Sequence, residues 1–270
     1  MTTIDLRVGR YQDVLQDVEC DLLCIDAPYS SRTHKGHNGG AAQANRVTEA
    51  DENRIRVDRR NGSRYRVGVN RRRVISYDPW TVEDVNACVD FWVPRTRGWF
   101  VTLTDHILQA AWTDALNRAG RYVFSPIAFV APGSRVRMTG DGPAQWACWI
   151  VVARPRSPAF FRWGSLPGGY TLPKGLGCAE SKPTMIGGKP RWLARELVRH
   201  YSRPGDLVCD PCAGAGTTLI AANLEGRSAI GAELDPETGE AARSRIHRET
   251  VESLLHNQLG SIPLTKGTAT

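Results

Sequence analysis

The segment "DLVCDPCAGAGTTLIAANLEGRSAIGAELDP", residues 206–236, constrains the fold more than any other part of the chain. Its pattern predicts a strand that runs into the turn Gly214-x-Gly216, a helix that begins at Thr217, and a second strand that ends at Glu233. Glycines let the backbone approach a ligand closely, and an acid at the end of the next strand can accept hydrogen bonds from both ribose hydroxyls. The segment therefore predicts a β-α-β unit that binds a ligand containing a ribose.

The turn differs from one that binds a dinucleotide. A pyrophosphate-binding turn prefers the pattern GxGxxG, but Leu219 stands at the third glycine position. The carboxylate of Asp210, just before the turn, would also repel a phosphate. It could instead pair with a positively charged group, such as the amino group of S-adenosylmethionine.

Strand-like and helix-like segments alternate over most of the chain, which predicts an α/β fold with a doubly wound, mostly parallel sheet. The stretches "RYVFSPIAFVA" and "WACWIVVARP" predict a β-hairpin. A length of 270 residues fits one large domain, so we expect a single domain over residues 1–270. No apolar run approaches the roughly 18 residues of a membrane helix, and the N-terminus lacks a signal-peptide pattern. We therefore expect a cytoplasmic protein that does not contact a membrane.

A second stretch, "DLLCIDAPYSS" at residues 21–31, ends a buried strand with a carboxylate, a proline and an aromatic ring. A plain turn needs only a proline and a small polar residue. In a doubly wound sheet, ligands bind beyond the carboxyl ends of the strands. Asp26–Tyr29 and Asp210–Gly216 both follow such ends, so we expect them to face one cleft although they are far apart in sequence.

The positive charge is concentrated in one segment. The chain has a formal charge of +7, and residues 54–73 alone hold nine arginines and one aspartate, while the rest of the chain sums to −1. Arginine without lysine suits bidentate contacts with phosphate or guanine. We interpret residues 30–76 as a long inserted loop that contacts a nucleic acid. The candidate residues for this contact are Arg59, Arg60, Arg64, Arg66, Arg71, Arg72 and Arg73.

The seven cysteines do not form a disulfide framework by number or spacing. Cys209 and Cys212 form a CxxC pair, but a structural zinc site usually needs two such pairs with loop-like spacing. We therefore interpret the cysteines as free thiols and expect no metal site.

Two motifs resemble those of amino-group DNA methyltransferases. "DPCAGAGTT" is similar to the family's DPFxGxGTT cofactor motif, and "DAPY" to its D/N/S-P-P-Y catalytic motif. The catalytic motif comes first and the cofactor motif lies near the C-terminus, a circularly permuted order that resembles the beta class. The match covers residues 1–29 and about 77–250, and the compact chain resembles small phage and prophage methylases. The resemblance implies a Rossmann-like, seven-stranded sheet with a C-terminal-side β-hairpin.

The resemblance also implies the residues of the site. The catalytic residues would be Asp26, Ala27, Pro28 and Tyr29. The S-adenosylmethionine-binding residues would be Asp210, Cys212, Gly214, Gly216, Thr217, Glu233, Lys189 and Pro190. Three features depart from the family pattern: Cys212 replaces a phenylalanine, "MIGG" replaces His-Pro-Thr-Gln before the Lys-Pro pair, and Ala27 replaces the first proline of DPPY.

The resemblance implies methyl transfer from S-adenosylmethionine to the N6 of adenine in double-stranded DNA, with residues 30–76 as the DNA-contacting loop and residues 156–188 as a small target-recognition region. Asp26 and the Ala27 carbonyl would accept the two N–H groups of the target amine, and Tyr29 would stack on the base. The base must leave the duplex to reach the cleft, so base flipping is required. Asp at the first motif position is commoner in N6-adenine enzymes than in N4-cytosine enzymes, which carry Ser more often.

Alternatives to this function remain open. They are an N4-cytosine DNA methyltransferase, a catalytically inactive DNA-binding homologue, and a methyltransferase that acts on RNA or on a protein glutamine. The protein would work as a monomer or a homodimer.

Overall fold

The computed structural model describes residues 2–38, 55–57, 64–66, 75, 77–133, 142–185 and 187–260. Its strands are β1 Ile4–Val8, β2 Cys20–Asp26, β3 Ile55–Val57, β4 Arg64–Arg66, β5 Thr96–Thr104, β6 Tyr122–Val123, β7 Ile127–Val130, β8 Ala147–Arg154, β9 Gly169–Thr171, β10 Leu207–Asp210 and β11 Ser228–Glu233. Its α-helices are α1 Tyr11–Val14, α2 over residues 31–38, α3 Val82–Trp92, α4 Gln109–Arg118, α5 Cys178–Ser181, α6 Arg191–Tyr201, α7 Thr217–Leu224 and α8 Pro236–Gly260.

One sheet of nine strands organises the described part of the chain, in the order β1-β11-β10-β2-β5-β8-β7-β9, with β6 also paired to β8. The strands from β1 to β5 in this order are all parallel, and β8 is antiparallel to both of its neighbours β5 and β7. The predicted fold class and the β7–β8 hairpin are confirmed. The prediction of seven strands is two short, because β6 and β9 are brief additional strands on the hairpin side.

The two faces of the sheet carry different helices, as in a doubly wound fold. On one face, Leu193 and Leu197 of α6 and Leu219 of α7 pack over the parallel strands. On the other face, Trp92 of α3 and Trp112 of α4 are fully buried against the sheet. Within the described ranges, no helix combines the length and apolarity that crossing a membrane would require.

Local sequence explains where α3 begins. Thr81 is its N-cap residue, and its hydroxyl accepts a hydrogen bond from the Asp84 backbone N–H at 3.4 Å. The Asp84 carboxylate in turn accepts from the Thr81 backbone N–H at 2.8 Å, which completes a capping box. The helix therefore begins at Val82, directly after its threonine cap.

The prediction that residues 30–76 form one long loop is wrong in two places. Residues 31–38 form helix α2, and β3 pairs with β4 in an antiparallel hairpin. The α2 sequence lacks an apolar period, and the start of this helix depends instead on contacts with a residue far along the chain. In the described part of the region 156–188, a 3₁₀ helix at Pro158–Phe160, the short strand β9 and the short helix α5 interrupt an irregular path.

Leu219 tests the packing of the β-α-β unit. Its side chain is fully buried, and both of its methyl groups would lie 3.1 Å from a Cβ placed on Gly231 of β11. We predict that Leu219→Ala lowers the free energy of unfolding by about 2–5 kcal/mol, because it leaves a cavity in the core. Urea denaturation measures the loss. Leu234→Ala is the matched control, since Leu234 is 67 % exposed and should change stability little. Equal effects of the two substitutions would contradict this packing.

Candidate active site

Three neighbouring parallel strands end in carboxylates at the same edge of the sheet. Asp26 ends β2, Asp210 ends β10 and Glu233 ends β11. The strand order β11-β10-β2 places β10 between the other two. The negative charges of Asp26 and Glu233 both act on Asp210. The structure thus brings residue 26 and the turn after residue 210 to the same edge of the sheet.

Asp26 is paired with a lysine from a distant part of the chain. The Lys189 Nζ donates to both carboxylate oxygens of Asp26 at 2.8 Å, and it also donates to the Gly187 carbonyl at 3.0 Å. The Asp26 side chain is 22 % exposed and that of Lys189 is 15 % exposed. Burial raises the pKa of Asp26, while the charge and hydrogen bonds of Lys189 and a hydrogen bond from Tyr29 oppose this rise. The Asp26 carboxylate is therefore largely removed from water, and its contacts with Lys189 and Tyr29 offset part of the cost of burying its charge.

The residues after Asp26 form a turn between the sheet and α2. Ala27 is buried in the core on the α3–α4 face, and Pro28 is half-buried. The Tyr29 ring lies under the Lys189 ammonium, at 4.8 Å from its Nζ, and the Tyr29 carbonyl accepts from the Trp80 backbone N–H at 3.1 Å. The turn is thus held by Lys189 and by the segment before α3.

The glycine turn has the backbone shape that its sequence requires. Gly214 and Gly216 both have positive φ, at 52° and 75°, a region that favours glycine. A Cβ on Gly214 would lie 2.9 Å from the Met185 Sδ, so the turn also passes close to a side chain from another segment. The carboxylate of Glu233 accepts from the backbone N–H of Gly214 at 2.8 Å and of Asp235 at 2.9 Å. These contacts leave acceptor positions on both Glu233 oxygens for a ligand.

Asp210 lies behind this turn and is almost completely buried. Burial, together with the charges of Asp26 and Glu233, raises its pKa to about 7, against hydrogen bonds from Thr218 and from the Cys212 backbone N–H. The Cys212 N–H lies 3.1 Å from the Asp210 Oδ1. An acid in this state is stabilised in its charged form by a cation, so this end of the cleft suits a positively charged ligand.

An arginine on the last helix holds the turn from behind. The guanidinium of Arg245 donates to the Ala215 carbonyl and to the hydroxyl of Thr217, the first residue of α7, both at 2.9 Å. It also pairs with Glu249 at 2.7 Å, and Glu249 contacts Arg191 at the start of α6. Pro190 is the N-cap residue of α6. The ion pairs therefore join the glycine turn to the segment that carries Lys189.

Tyr77 lies near the same sheet edge, although no motif in the sequence points to it. Burial raises the pKa of Tyr77 to about 12, together with the charges of Asp26, Cys212 and Glu233. Its ring contacts His34 edge-to-face, with 5.1 Å between the ring centroids. Tyr77 and His34 line a cavity of about 500 Å³ beside the Asp26–Tyr29 turn. No periodicity in the sequence around Tyr77 indicates this placement.

Asp105, at the end of β5, was also missed and anchors the start of α2. Its buried carboxylate accepts from the Ser30 backbone N–H at 3.0 Å, and from the Ser30 and Thr33 hydroxyls at 2.5 Å each. It also accepts from the backbone N–H groups of Ile107 and Leu108. One carboxylate thus fixes both the segment after Tyr29 and the entry to α4. A carboxylate after a buried strand was the available sequence signal.

The candidate DNA-binding arginines are only partly placed. Arg64 and Arg66 lie on β4 of the two-stranded hairpin, apart from the main sheet. The other predicted DNA contacts lie outside the described residues: Arg59, Arg60, Arg71, Arg72 and Arg73. None of the cysteines in the described residues forms a disulfide, as the sequence interpretation predicts.

A family model covers the cofactor half of this site. Residues 179–244 match the N6/N4 methyltransferase family, described as DNA methylase. This range contains Lys189, the glycine turn and Glu233. The resemblance to amino-group DNA methyltransferases that the motifs indicate is therefore confirmed.

Curated relatives match the chain over limited stretches. Type II methyltransferase M.MthZI of Methanothermobacter thermautotrophicus is 48% identical over 58 residues, which is 22% of this chain and 16% of that protein. Type II methyltransferase M.Cfr9I of Citrobacter freundii is 25% identical over 143 residues, 50% of this chain and 48% of that protein. DNA adenine methyltransferase YhdJ of Escherichia coli (strain K12) is 41% identical over 58 residues, 22% of this chain and 19% of that protein. The chain spans less than half the length of each of these relatives.

Solved structures resemble almost the whole chain. A complex of M1.HpyAVI with SAM covers 90% of this chain and 99% of its own, with a TM-score of 0.57 and 18% identity. The PvuII DNA methyltransferase, described as cytosine-N4-specific, covers 93% of this chain and 92% of its own, with a TM-score of 0.56 and 14% identity. At these identities the likeness shows the fold, which is Rossmann-like.

Asp105 provides a test of the turn that follows Asp26. Burial raises its pKa, but the hydrogen bonds from Ser30, Thr33 and Leu108 prevail, so the pKa of Asp105 is lowered in the folded protein. A lowered pKa stabilises the fold above the unfolded value of about 3.9, and this stabilisation is lost as pH falls through the folded pKa. We predict that Asp105→Asn costs about 1–3 kcal/mol at neutral pH, because the amide cannot accept all of these bonds.

Urea unfolding at a series of pH values measures this cost. The gap between wild type and Asp105→Asn should shrink below a pH of about 4. The matched control is Asp90→Asn, at an exposed position of α3, which should show no such gap. A gap that stays constant with pH would mean that the charge of Asp105 does not anchor the turn.

Proposed function

We propose that this chain is a site-specific DNA methyltransferase that transfers a methyl group from S-adenosylmethionine to the N6 of adenine. The observation that carries the proposal is the meeting of the Asp26–Tyr29 turn with the Gly214–Gly216 turn at one sheet edge. The family match over residues 179–244 supports it, and so do the names of the relatives, which are all methyltransferases. Base flipping and double-stranded DNA as the substrate are part of the proposal.

The described cleft suits S-adenosylmethionine by its charges and backbone shape. Gly214 and Gly216 adopt the positive φ of the turn and carry no side chain of their own beside the proposed methionine part. Glu233 keeps acceptor positions for the ribose hydroxyls, and Asp210 would pair with the cationic amino group. When bound, this cofactor supplies an electrophilic methyl group on a sulfonium sulfur. Cys212 and Pro190 would contribute to the walls of the same pocket.

The Asp26–Tyr29 turn would prepare the target amine. An exocyclic amine is a poor nucleophile because its lone pair is delocalised into the base. Acceptance of one N–H by Asp26 and of the other by the Ala27 carbonyl would make the nitrogen more tetrahedral, while Pro28 stiffens the turn. The nitrogen would then attack the methyl carbon in line, the sulfur would keep the electron pair of the broken bond, and the excess proton would leave through Asp26 or water.

Adenine is the proposed target base, and cytosine N4 is the alternative. Asp26 as the first residue of the catalytic motif favours adenine, and one relative is named an adenine methyltransferase. The fold likeness to a protein described as cytosine-N4-specific is the reason for the alternative. The two reactions give different modified nucleosides, so product analysis separates them.

Asp26→Ala tests the proposed chemistry. We predict that wild-type protein incorporates labelled methyl groups into plasmid DNA and that nucleoside mass spectrometry identifies N6-methyladenine. Asp26→Ala should lose this activity by at least about 100-fold, because the amine loses its acceptor, while calorimetry should still detect cofactor binding. Asp90→Ala, at an exposed position, is the matched control and should remain active.

Three outcomes would count against this proposal. Normal turnover of Asp26→Ala would remove Asp26 from the mechanism. N4-methylcytosine as the product would replace adenine by the alternative base. DNA binding without methyl incorporation by the wild type, across varied sequences, would favour an inactive DNA-binding homologue.

The arginine-rich segment is proposed to bind the DNA backbone. We predict that replacing Arg71, Arg72 and Arg73 together by Ala weakens DNA affinity and flattens its salt dependence, by about 0.9 in the log–log slope for each phosphate that is no longer neutralised. Fluorescence anisotropy at several salt concentrations measures both quantities. The matched triple replacement by Lys keeps the charge and should keep the slope. An unchanged slope in the Ala variant would mean that this segment does not bind phosphates.

A further inference from the structure

The ion pair between Lys189 and Asp26 joins two segments 163 residues apart. The ammonium is held at the carboxylate by three hydrogen bonds, two to the Asp26 oxygens and one to the Gly187 carbonyl. The resemblance assigns Lys189 to the cofactor pocket, but in the structure its charged group contacts the candidate catalytic acid. This contact indicates a different role.

We propose that Lys189 is a positioning residue for Asp26, whose ammonium keeps this carboxylate charged and fixed in orientation for the target amine. The inference rests on the proposed function, since it concerns the acid that would accept the amine N–H. It gives Lys189 a task in the reaction separate from binding the cofactor.

The surroundings of Asp26 supply no other positive charge in the described part of the cleft. The phenol groups of Tyr29 and Tyr77 face it from the turn and from the segment before α3. The remaining titratable groups that act on or feel its charge are acids or thiols: Cys24 on β2, Asp210 on β10 and Cys212 in the following turn. Each of these would be neutral or negative. Without Lys189, burial would therefore favour the protonated form of Asp26.

A protonated Asp26 would have fewer acceptor positions to offer the N–H of the target amine. A carboxylate accepts at about four lone-pair positions, whereas the acid form gives one oxygen a proton to donate. Lys189 occupies one position on each oxygen and Tyr29 a third, which leaves one position for an amine N–H. The pairing is thus compatible with a bound target base.

The geometry of Lys189 also fixes the direction of the carboxylate. Equal distances of 2.8 Å to both oxygens hold the carboxylate plane toward the ammonium. The ammonium itself is kept in place by the Gly187 carbonyl and by the Tyr29 ring beneath it. A guanidinium could preserve both the charge and the two-oxygen contact, so arginine is the conservative substitute.

The direct test is an NMR titration of the whole chain labelled with ¹³C at the aspartate carboxyl carbons. The resonance absent from Asp26→Asn assigns Asp26. We predict that Lys189→Met moves the titration midpoint of Asp26 upward by at least about one pH unit, a tenfold change in its acid dissociation constant. Lys189→Arg should stay near wild type. Lys174→Met, which removes an exposed lysine, is the matched control and should leave the midpoint unchanged.

Activity measurements separate positioning from cofactor binding. In Lys189→Met the acid limb of the kcat profile should move to higher pH by the same amount, and arginine should restore it, while the Kd for S-adenosylmethionine changes less than about threefold. A cofactor ligand would instead raise that Kd with the acid limb unmoved, and this result would overturn the proposal. So would an unchanged Asp26 midpoint in folded Lys189→Met. If Lys189→Met does not fold, Lys189→Gln carries the same predictions.

The titration needs no turnover, so its failure differs from a failure of the proposed function. A wild-type protein that transfers no methyl group would refute the methyltransferase proposal, and with it the role of Lys189 in that reaction. A wild-type protein that methylates DNA while the Asp26 midpoint ignores Lys189 would refute only the positioning role.

Discussion

Three adjacent strands that end in carboxylates set the central constraint of this structure. Asp26, Asp210 and Glu233 lie at one partly buried edge, where like charges repel and water cannot fully solvate them. Each acid is compensated differently. Lys189 pairs with Asp26, and backbone N–H groups bind Glu233. Among the described residues, Asp210 has hydrogen-bond partners but no cationic partner, and its pKa is raised to about 7. The edge is therefore arranged to accept a cationic ligand at Asp210, next to an acid that already has a lysine partner.

The surrounding scaffold keeps these acids and the glycine turn in one geometry. Arg245 donates to a carbonyl and to a threonine hydroxyl of the glycine turn. It also pairs with Glu249, which pairs with Arg191 next to the segment that carries Lys189. The Asp105 carboxylate holds the turn after Asp26 by accepting hydrogen bonds from Ser30. The two halves of the site are thus tied to helices that pack on different faces of the sheet, although the residues come from distant parts of the chain.

Sequence patterns predicted most of the fold, because strand and helix periods and glycine turns are local signals. The seven longer strands, the capping box at Thr81 and the β-α-β unit before Glu233 all follow from residues close in sequence. The start of α2 does not follow from neighbouring residues, because the carboxylate that holds it belongs to Asp105, 75 residues away from Ser30. The contact of Lys189 with Asp26 was missed for the same reason. Its motif neighbours indicate a cofactor pocket, and only the folded chain brings the ammonium to the acid.

The most direct test of this account is a crystal structure of the protein with S-adenosylhomocysteine, the demethylated cofactor. The account predicts that the methionine part contacts the Gly214–Gly216 turn, that its ammonium pairs with Asp210, and that its sulfur faces Asp26. The sulfur and the nearest Asp26 oxygen should lie within about 7 Å, the span of one hydrogen bond and one near-attack contact. Binding elsewhere, or with the sulfur turned away from Asp26, would contradict the claim that these two turns form one active site.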